Sequence, residues 1–554
     1  MTRHDSDEIT GDDGTAAVNS AVSRRGVMTA VLGAGAAGIV GIATATPAQA
    51  GPREQAGPPG HAGPPFAPRE HTHDGGRLGQ DEPVSTLRAV EAYSRQYPRI
   101  DVALFGAVGD GVTDDSVAIQ EAMDSATERR GIVAFDSDKV YAISQTIVVD
   151  VSAVRGIEGN LARIKLTADV TAFRITGTHT GSASPNNSSA RRIKLPEMHP
   201  YVRGLRIHGD PQLRGTGLRI EGTFGLQVLQ CHLFDLRTGI EFAEVNRNVI
   251  LANNNVWHCL DYGIWWNGGN IHQMNMTGNH ISYTRKALFM DDALIYNVQV
   301  VGNAIEASSA PGDVEYVVHA VARDGYIEGL ELIGNSLEDH VNVSGAAVRI
   351  DGGPNRRGKQ IMIIGNDMGN SESSDIFVSD IDEVVIANNT MSYSTDYSIR
   401  LTGHVLAVNI TGNVMHTRDD RPMGMLHIGG EDARTTVDAL VVANNIAKHM
   451  MRIPVVVRNA DLRSVNFSGN VIEYVGNEPG HLVDMTESVS LRGASITGNQ
   501  LRTKRLTSAI AVDPRDVDLL VAKDNVSDGV GPDAFAGLPD PVDGRVIVAD
   551  NVAG

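Results

Sequence analysis

A short asparagine motif recurs through most of the chain and constrains the fold more than any other feature. In each copy a run of apolar residues ends in Gly-Asn, Asn-Asn or Asp-Asn, and one or two further apolar positions follow. Successive copies lie 23 to 32 residues apart, a spacing typical of solenoids. The asparagines are Asn255, Asn279, Asn303, Asn335, Asn366, Asn389, Asn413, Asn445, Asn470, Asn499, Asn525 and Asn551.

The segments between these asparagines predict strands rather than helices. They hold alternating apolar residues over strand length, and almost none has the helical period. With the repeat length, this pattern predicts an all-β fold, a right-handed single-stranded parallel β-helix with one coil per repeat. The asparagines would form a ladder in which each amide binds the amides above and below it. Because Cys231 lies 24 residues before Asn255 in the same local pattern, we expect the stack to begin earlier still.

Composition excludes several classes of function. The 554 residues, 42% of them hydrophobic, fit one long globular domain with tails. A net charge of −20 argues against a nucleic-acid partner, because such proteins present basic patches. Two cysteines, Cys231 and Cys259, make no disulfide framework, and we expect buried thiols. No metal-ligand motif at a defined spacing is present, so neither a metal nor a cofactor is predicted.

The N-terminal region has the layout of an export signal. Ser23-Arg24-Arg25-Gly26-Val27-Met28 precedes a weakly apolar Gly/Ala stretch and then Ala48-Gln49-Ala50. Residues 1–50 are therefore predicted to be a twin-arginine signal peptide, which makes the protein secreted or cell-surface with no stable membrane insertion after cleavage. Residues 51–98, rich in Pro, Gly and His, are predicted to form a linker and lead-in. The β-helix domain would then occupy residues 99–554.

The start of that domain, residues 100–145, combines a strand with a helix. Thr113 or Asp114 is the expected N-cap, with Asp115 in the first helical turn. The helix would cover the open end of the solenoid core. Its expected apolar face consists of Val117, Ile119, Ala122 and Met123.

This segment resembles the rhamnogalacturonase/epimerase-like pectate lyase family, which has a pectin-lyase-like fold. The matching residues are Asp101-Val102, Phe105-Gly106-Ala107, Gly109-Asp110-Gly111-Val112-Thr113-Asp114-Asp115 and Ala118-Ile119-Gln120. The family's Pro-Pro-Gly-Thr-Tyr is replaced by Asp136-Ser137-Asp138-Lys139-Val140-Tyr141. The resemblance implies a parallel β-helix that handles polysaccharide, without naming the reaction. The Gly-His-Gly and Asn-Thr-Asp runs of polygalacturonases are missing, and a short run from Gly424 to Gly430 resembles fructan-cleaving transferases.

In such β-helices the family implies a binding groove on the outside of one sheet, and alternation predicts which side chains face it. The aliphatic residues expected to point inward are Leu218, Ile240, Ile264, Leu288, Val348, Ile376, Ile399 and Leu426. The outward row would be Arg219, Glu241, Trp265, Phe289, Arg349, Phe377, Arg400 and His427, with Glu221, Asn267, Asp291 and Asp351 beside it. The pattern leaves the register of the coil at 316–321 open, and one of its two registers adds His319 to the row. A register slip of one residue would invert every assignment.

The residue types in this row suggest roles. Exposed rings stack on sugar faces, so the predicted substrate-binding residues are Trp265, Asn267, Phe289, Phe377 and Glu241. Hydrolysis would use Asp291 and Asp351, about 9.6 Å apart over two rungs, near the upper end of the range for inverting enzymes. Asp292 could raise a neighbour's pKa by like-charge repulsion. A lyase would instead use Arg349, Arg400 and His427.

These patterns leave two classes of function open. The first is a secreted polysaccharide-active enzyme, a glycoside hydrolase before a lyase or a fructan-cleaving transferase. The second is a non-catalytic β-helix that binds glycans or lies at the cell surface. The expected partner is a polysaccharide or oligosaccharide, and a homotrimer is compatible with a parallel solenoid.

Overall fold

The computed structural model describes residues 98–181, 197, 199–210, 212, 215–306, 316–338, 345–353, 356–418, 421–430, 433–503, 506, 508–512, 517–530, 533–539 and 545–554. Its strands stack into a right-handed parallel β-helix, as the repeat predicts. Most coils contribute one strand to each of three parallel ladders, here called sheets 1, 2 and 3 in the order in which a complete coil passes through them. The predicted signal peptide and nearly all of the predicted linker lie outside the described residues.

Sheet 1 carries the face on which the groove was predicted, and most of its strands have four to six residues. Of its two longest strands, Val455–Leu462 and His481–Leu491, the first also pairs with the sheet 2 strand Thr435–Ala443. The strands of sheet 1 are Ile147–Asp150, Thr171–Thr176, Thr216–Glu221, Thr238–Ala243, Tyr262–Asn267, Lys286–Asp291, Tyr316–Val321, Val348–Asp351, Ile376–Ser379, Tyr397–Thr402, Gly424–Ile428, Val455–Leu462, His481–Leu491 and Ser508–Val512.

Sheet 2 follows sheet 1 after a corner that is shortest at Glu244 and Gly403, where a single residue separates the two strands. Its strands are Arg99–Asp101, Ile132–Ala134, Gly156–Glu158, Tyr201–Arg203, Gln227–Leu229, Val245–Ala252, Asn270–Thr277, Leu294–Val301, Tyr326–Ile333, Lys359–Ile364, Glu383–Ala387, His404–Thr411, Thr435–Ala443, Val465–Ser468, Ala494–Thr497, Leu520–Lys523 and Val546–Ala549.

Sheet 3 is built mainly from strands of three or four residues and closes each coil. Its strands are Asp110–Asp114, Val140–Ile143, Arg163–Leu166, Arg206–His208, His232–Phe234, Asn255–Trp257, His280–Ser282, Ala304–Glu306, Ser336–Glu338, Asp367–Gly369, Thr390–Ser392, Val414–His416, Ile446–Met450, Val471–Tyr474, Gln500–Thr503, Val526–Asp528 and Val552–Ala553.

The asparagine ladder lies at the corner between sheets 2 and 3, and its predicted bonding is confirmed. The Nδ2 of Asn279 donates to Oδ1 of Asn303 at 2.9 Å, and the same bond recurs from coil to coil up to Asn551. Each ladder residue follows a residue in the left-handed region, such as Gly278 with φ 63° or Asn388 with φ 55°. Because Gly, Asn and Asp tolerate that conformation best, the recurring dipeptide encodes both the corner and the ladder.

The first ladder residue is Asn254 and not Asn255, so that prediction was wrong by one position. Asn254 Nδ2 donates to Asn279 Oδ1 at 2.9 Å, whereas Asn255 opens the next strand of sheet 3. The stack does begin earlier, because the backbone N–H of Cys231 donates to Asn254 Oδ1 at 2.9 Å. Both Cys231 and Cys259 are buried free thiols, as expected.

The N-terminal helix, α1, spans Ser116–Arg129 and begins later than predicted. Its N-cap is Asp115, whose carboxylate accepts from the backbone N–H groups of Val108 and Gly109 instead of capping the helix. Ile119, Ala122 and Met123 join the solenoid core as expected, but Val117 is exposed. The role of α1 as a cap stays a prediction.

Most of the buried side chains of the solenoid are apolar and form one core cluster. The predicted inward residues of sheet 1, from Leu218 to Leu426, are all at most 1% exposed. Trp266 is the largest fully buried side chain and stacks on Phe242 with ring centroids 5.8 Å apart. Within the described part of the chain no helix is long and apolar enough to cross a membrane.

Candidate functional site

The predicted outward row of sheet 1 exists in the predicted register. Arg219, Glu241, Trp265, Phe289, His319, Arg349, Phe377, Arg400 and His427 occupy consecutive rungs. His319, whose register the sequence left open, lies between Phe289 and Arg349. Asp291 and Asp351 fall in the neighbouring column, two rungs apart with Val321 between them. The functional roles of these residues stay predictions.

The aromatic residues of the row stack on one another and on neighbouring rings of sheet 1. Tyr262 stacks on Trp265 at 4.6 Å and on Phe289 at 5.6 Å, and the ammonium of Lys286 lies 4.3 Å from the Phe289 ring centroid. Phe289 is only 6% exposed, so its predicted exposure was wrong. Neighbouring coils cover it with Tyr262 and His319, the second of which stacks on it at 5.1 Å. Trp265 is half-buried and keeps part of its ring surface open.

The middle of the row forms a polar cluster around Arg349. Its guanidinium contacts Asp351 twice, at 2.6 and 3.2 Å, donates to the Tyr316 hydroxyl at 3.2 Å, and lies 4.4 Å from the Phe377 ring centroid. His319 Nε2 is 3.4 Å from Asp351 Oδ2. Burial raises the pKa of Asp351, but hydrogen bonds from His319 and Arg349 outweigh it and hold this pKa below its usual range. Asp351 is therefore an ionised carboxylate.

The C-terminal part of the row presents cations around one carboxylate. Asp396 accepts from Arg400 at 3.1 Å and lies 3.6 Å from the guanidinium of Arg452. His427 stacks on Tyr397 at 5.1 Å. Burial first, and the charge of Arg400 second, lower the pKa of His427 to about 4, so its imidazole is neutral at neutral pH.

At the N-terminal end of the row, two arginines form ion pairs with two buried glutamates. Arg219 contacts both Glu221 and Glu241, and Arg174 contacts Glu221 at 2.7 Å. The amide of Asn267 donates to Glu241 Oε1 at 3.0 Å. Glu241 is only 5% exposed, which restricts its access to a ligand.

Asp291 and Asp292 differ from the expected acid–base arrangement. Arg323 donates to Asp291 Oδ1 at 2.5 Å. Asp292 is the corner residue, with φ 53°, and its Oδ1 accepts the backbone N–H groups of Asp324 and Gly325. Burial raises the pKa of Asp292, but these two hydrogen bonds outweigh it and hold this pKa below its usual range. Asp292 is thus an ionised turn residue, and nothing here supports its predicted role in raising a neighbour's pKa.

These contacts pair the carboxylates of sheet 1 with arginines and place half-buried rings beside them. Glu221, Glu241, Asp291 and Asp351 each contact an arginine. Tyr262, Trp265 and Phe377 are half-buried rings on the same sheet. In the described ranges no three His, Cys, Asp or Glu side chains are grouped closely enough to hold a metal ion.

Sequence reasoning missed the residues that complete the surface from outside the row. Tyr262 and Tyr316 lie three positions before their row residues, and two consecutive buried residues between them break strict alternation. Arg323 and Arg452 come from turns. Tyr262, Lys286 and Tyr316 occupy consecutive rungs, but they lie 8, 7 and 13 residues after Asn254, Asn279 and Asn303, so no fixed spacing in the sequence marks this column.

Comparison with known proteins finds a family model that matches part of the chain and solved structures of low sequence identity. A family model described as "Periplasmic copper-binding protein (NosD)" matches residues 151–351, less than half of the chain. No curated protein matches the sequence.

Among solved structures, a tailspike protein double mutant of E. coli bacteriophage HK620 is 12% identical, with a TM-score of 0.49 over 81% of each chain. The pre-mature gene product 12 of bacteriophage phi29 is also 12% identical, with a TM-score of 0.46 over 80% of this chain and 71% of that one. ORF18 of Geobacillus virus E2 is 16% identical, with a TM-score of 0.41 over 66% of each chain.

Proposed function

We propose that the outer face of sheet 1 binds an extended polysaccharide or oligosaccharide chain along the solenoid axis. The observation that carries the proposal is the unbroken row from Arg219 to His427, in which eight of nine successive rungs carry an aromatic or imidazole ring or a guanidinium group. Rungs are about 4.8 Å apart, so a linear saccharide lying along this face would meet a new side chain at every rung.

The half-buried rings and the paired arginines have complementary roles in this proposal. Trp265 and Phe377 offer apolar faces for stacking on sugar rings. Arg349 and Arg400 are held in place by Asp351 and Asp396, so binding a hydroxyl or an acidic group needs little further ordering of these side chains. Because these side chains are already ordered before binding, less conformational entropy is lost when a ligand binds, which favours affinity.

Hydrolysis has weaker support than binding. A glycosidase needs one carboxyl group that stays protonated until it donates to the leaving oxygen. Asp351 is instead held ionised, and Asp291 is paired with Arg323. Asp375, whose pKa is raised to about 7 by burial, is fully buried and cannot reach a substrate on the outer face.

β-Elimination is the second candidate, because His427 is a neutral imidazole beside two arginines. Arg400 or Arg452 would neutralise a sugar carboxylate, which acidifies the adjacent C–H, and His427 would accept that proton. The electron pair of the C–H bond then forms the C=C bond as the glycosidic C–O bond at the β carbon breaks, and the leaving oxygen takes a proton from water. This candidate applies only if the bound saccharide is a polyuronate.

Binding is tested by retention of the protein in gels that contain single polysaccharides, using residues 51–554. We expect Trp265→Ala and Phe377→Ala to lose retention for the polysaccharide that retards the wild type. Trp257→Ala is the matched control, because Trp257 is a half-buried, stacked ring on sheet 3. Equal losses in all three variants, or no retention of the wild type across a broad panel, would refute the proposal.

Cleavage of the polysaccharide is tested by two assays over the same panel. One measures new reducing ends, and the other measures absorbance at about 235 nm, where unsaturated uronates absorb. Elimination gives both signals, and His427→Gln should abolish them while leaving gel retention in place. Hydrolysis gives reducing ends alone and would return attention to Asp291 and Asp351. If the protein binds the polysaccharide but gives neither new reducing ends nor absorbance, it is a glycan-binding module without activity.

Export is part of the same proposal, because polysaccharide of this size is met outside the cytoplasm. Support comes from Arg24-Arg25 and the Ala48-Gln49-Ala50 cleavage pattern. Replacing both arginines by lysine should leave the precursor in the cytoplasm. Export of that variant at the wild-type level would remove the twin-arginine route from the proposal.

A further inference from the structure

A pocket of about 280 Å³ opens on the outer face of sheet 2, away from the row on sheet 1. Its polar lining comes from His179, Thr180, Arg247, Asn270, His272 and Tyr296. Every one of these side chains can donate a hydrogen bond, and no Asp or Glu belongs to the lining that the structure describes.

The fold builds this pocket from adjacent coils. Arg247, His272 and Tyr296 occupy three consecutive rungs of sheet 2 and point outward together. His179 is contributed by the segment after the sheet 1 strand Thr171–Thr176, and its backbone N–H donates to the carbonyl of Gly222 at 2.8 Å. The His179 ring is 4% exposed and packs edge-on against Phe224 at 5.6 Å.

Hydrogen bonding fixes the proton positions of the central pair. Arg247 Nη1 lies 2.5 Å from His272 Nδ1, and because a guanidinium can only donate, Nδ1 is the acceptor. The imidazole proton is therefore on Nε2, which leaves His272 as a second donor. Burial first, and the charge of Arg247 second, lower the pKa values of both His272 and His179.

Arg247 has no carboxylate within 4.0 Å in the part of the chain that the structure describes, which sets it apart from the arginines of sheet 1. Arg174, Arg219, Arg349 and Arg400 all form ion pairs. The nearest acidic rung, Glu328, is already paired with Lys359 at 3.1 Å. In a chain with a net charge of −20, a cationic pocket without its own counterion is an unusual feature.

We propose that this pocket binds an oxyanion, with Arg247 as its counter-ion and the His272 Nε2–H, Thr180 and Tyr296 as further donors. The shared chemistry is a negatively charged group of oxygens, carried either by free phosphate or sulfate or by the acidic group of a sugar. A charge-assisted contact to a guanidinium is roughly twice as strong as a neutral hydrogen bond, so Arg247 should dominate the affinity. The site is independent of saccharide binding on sheet 1.

The test is isothermal titration calorimetry of residues 51–554 with sodium sulfate, sodium phosphate and sodium glucuronate, at constant ionic strength set with NaCl. We expect at least one anion to bind and Arg247→Gln to weaken it on the order of ten-fold or more. The matched control is Arg237→Gln, because Arg237 is also partly exposed but pairs with Asp169 at 2.7 Å.

Each outcome decides the proposal or its ligand. Binding of phosphate or sulfate alone indicates a free anion or its ester, and binding of glucuronate alone indicates a sugar acid. No binding of any of the three anions to the wild type would overturn the proposal, and so would equal affinities in the Arg247→Gln and Arg237→Gln variants. Should Arg247→Gln fail to fold, His272→Asn removes the Nε2–H donor and must weaken binding in its place.

Discussion

The buried amide of Asn389 connects its own coil to the coil before it and the coil after it. Its Oδ1 accepts from both the backbone N–H and the Nδ2 of Asn366, at 2.9 and 3.0 Å. Its Nδ2 donates to Asn413 Oδ1 at 3.0 Å and to the carbonyl of Ile363 at 2.8 Å. Because every donor and acceptor of this amide is used, the corner between sheets 2 and 3 carries no unsatisfied polar group at this rung.

Asn389→Ala should lower the free energy of unfolding by about 3 kcal/mol or more, since several buried groups lose their partners at about 1–3 kcal/mol each. The measurement is urea unfolding followed by circular dichroism. Asn388→Gly is the control, because Asn388 has φ 55° and glycine accepts that conformation without strain. Equal stability of Asn389→Ala and the wild type would contradict a structural role for the ladder.

His427 should make stability depend on pH in a defined window. Its pKa is lowered to about 4 in the folded state from 6.5, so below pH 6.5 the unfolded chain binds the proton more readily. Stability therefore falls as pH drops from about 6.5 to about 4, by roughly 2 kcal/mol from this group. His427→Gln should flatten the difference in unfolding free energy between pH 7 and pH 4.5. An unchanged slope would mean that the ring is not buried as described.

In the sheet 1 strand Tyr262–Asn267, two adjacent tryptophans face opposite sides of the sheet. Trp266 points into the core and is fully buried, whereas Trp265 points outward and is half-buried. Strand alternation alone separates the two indoles, one for packing and one for the proposed ligand.

Trp266→Ala should lower the free energy of unfolding by about 3–5 kcal/mol, because it leaves a cavity against Phe242. Trp265→Ala should change it by only about 1 kcal/mol and act on saccharide retention instead. Denaturant unfolding of both variants checks the first effect, and gel retention checks the second. The reverse pattern would show that the strand register is shifted by one residue.

Much of this element-level order was predictable from the sequence, and the exceptions share a cause. Alternation and the repeat place Trp265, Arg349 and Arg400 in the right row, because both are local properties of the chain. The burial of Phe289 and the pairing of Asp291 with Arg323 depend on neighbouring coils, which no local pattern reveals. The triple asparagine at 253–255 hid the ladder position for a different reason, since three identical residues fit the motif equally well.

The whole molecule behaves as a stack of equivalent coils, so its register should survive the loss of one coil. Deleting residues 389–412 joins Asn388 directly to Asn413, which restores both the left-handed corner and the ladder. We expect this variant to keep its β-sheet circular dichroism and cooperative unfolding. Deleting only residues 389–400 leaves half a coil and should prevent folding. Equal behaviour of the two deletions would contradict the coil assignment.

The proposed function is also a property of the whole stack, because the row on sheet 1 exists only when the coils stack in register. The most direct test of its location is hydroxyl-radical footprinting with mass spectrometry, in the presence and absence of the polysaccharide that retards the protein. The account predicts that Trp265 and Phe377 on sheet 1 become protected, while Trp257 on sheet 3 remains as reactive as in the free protein. Protection of Trp257 with unchanged reactivity at Trp265 and Phe377 would contradict it.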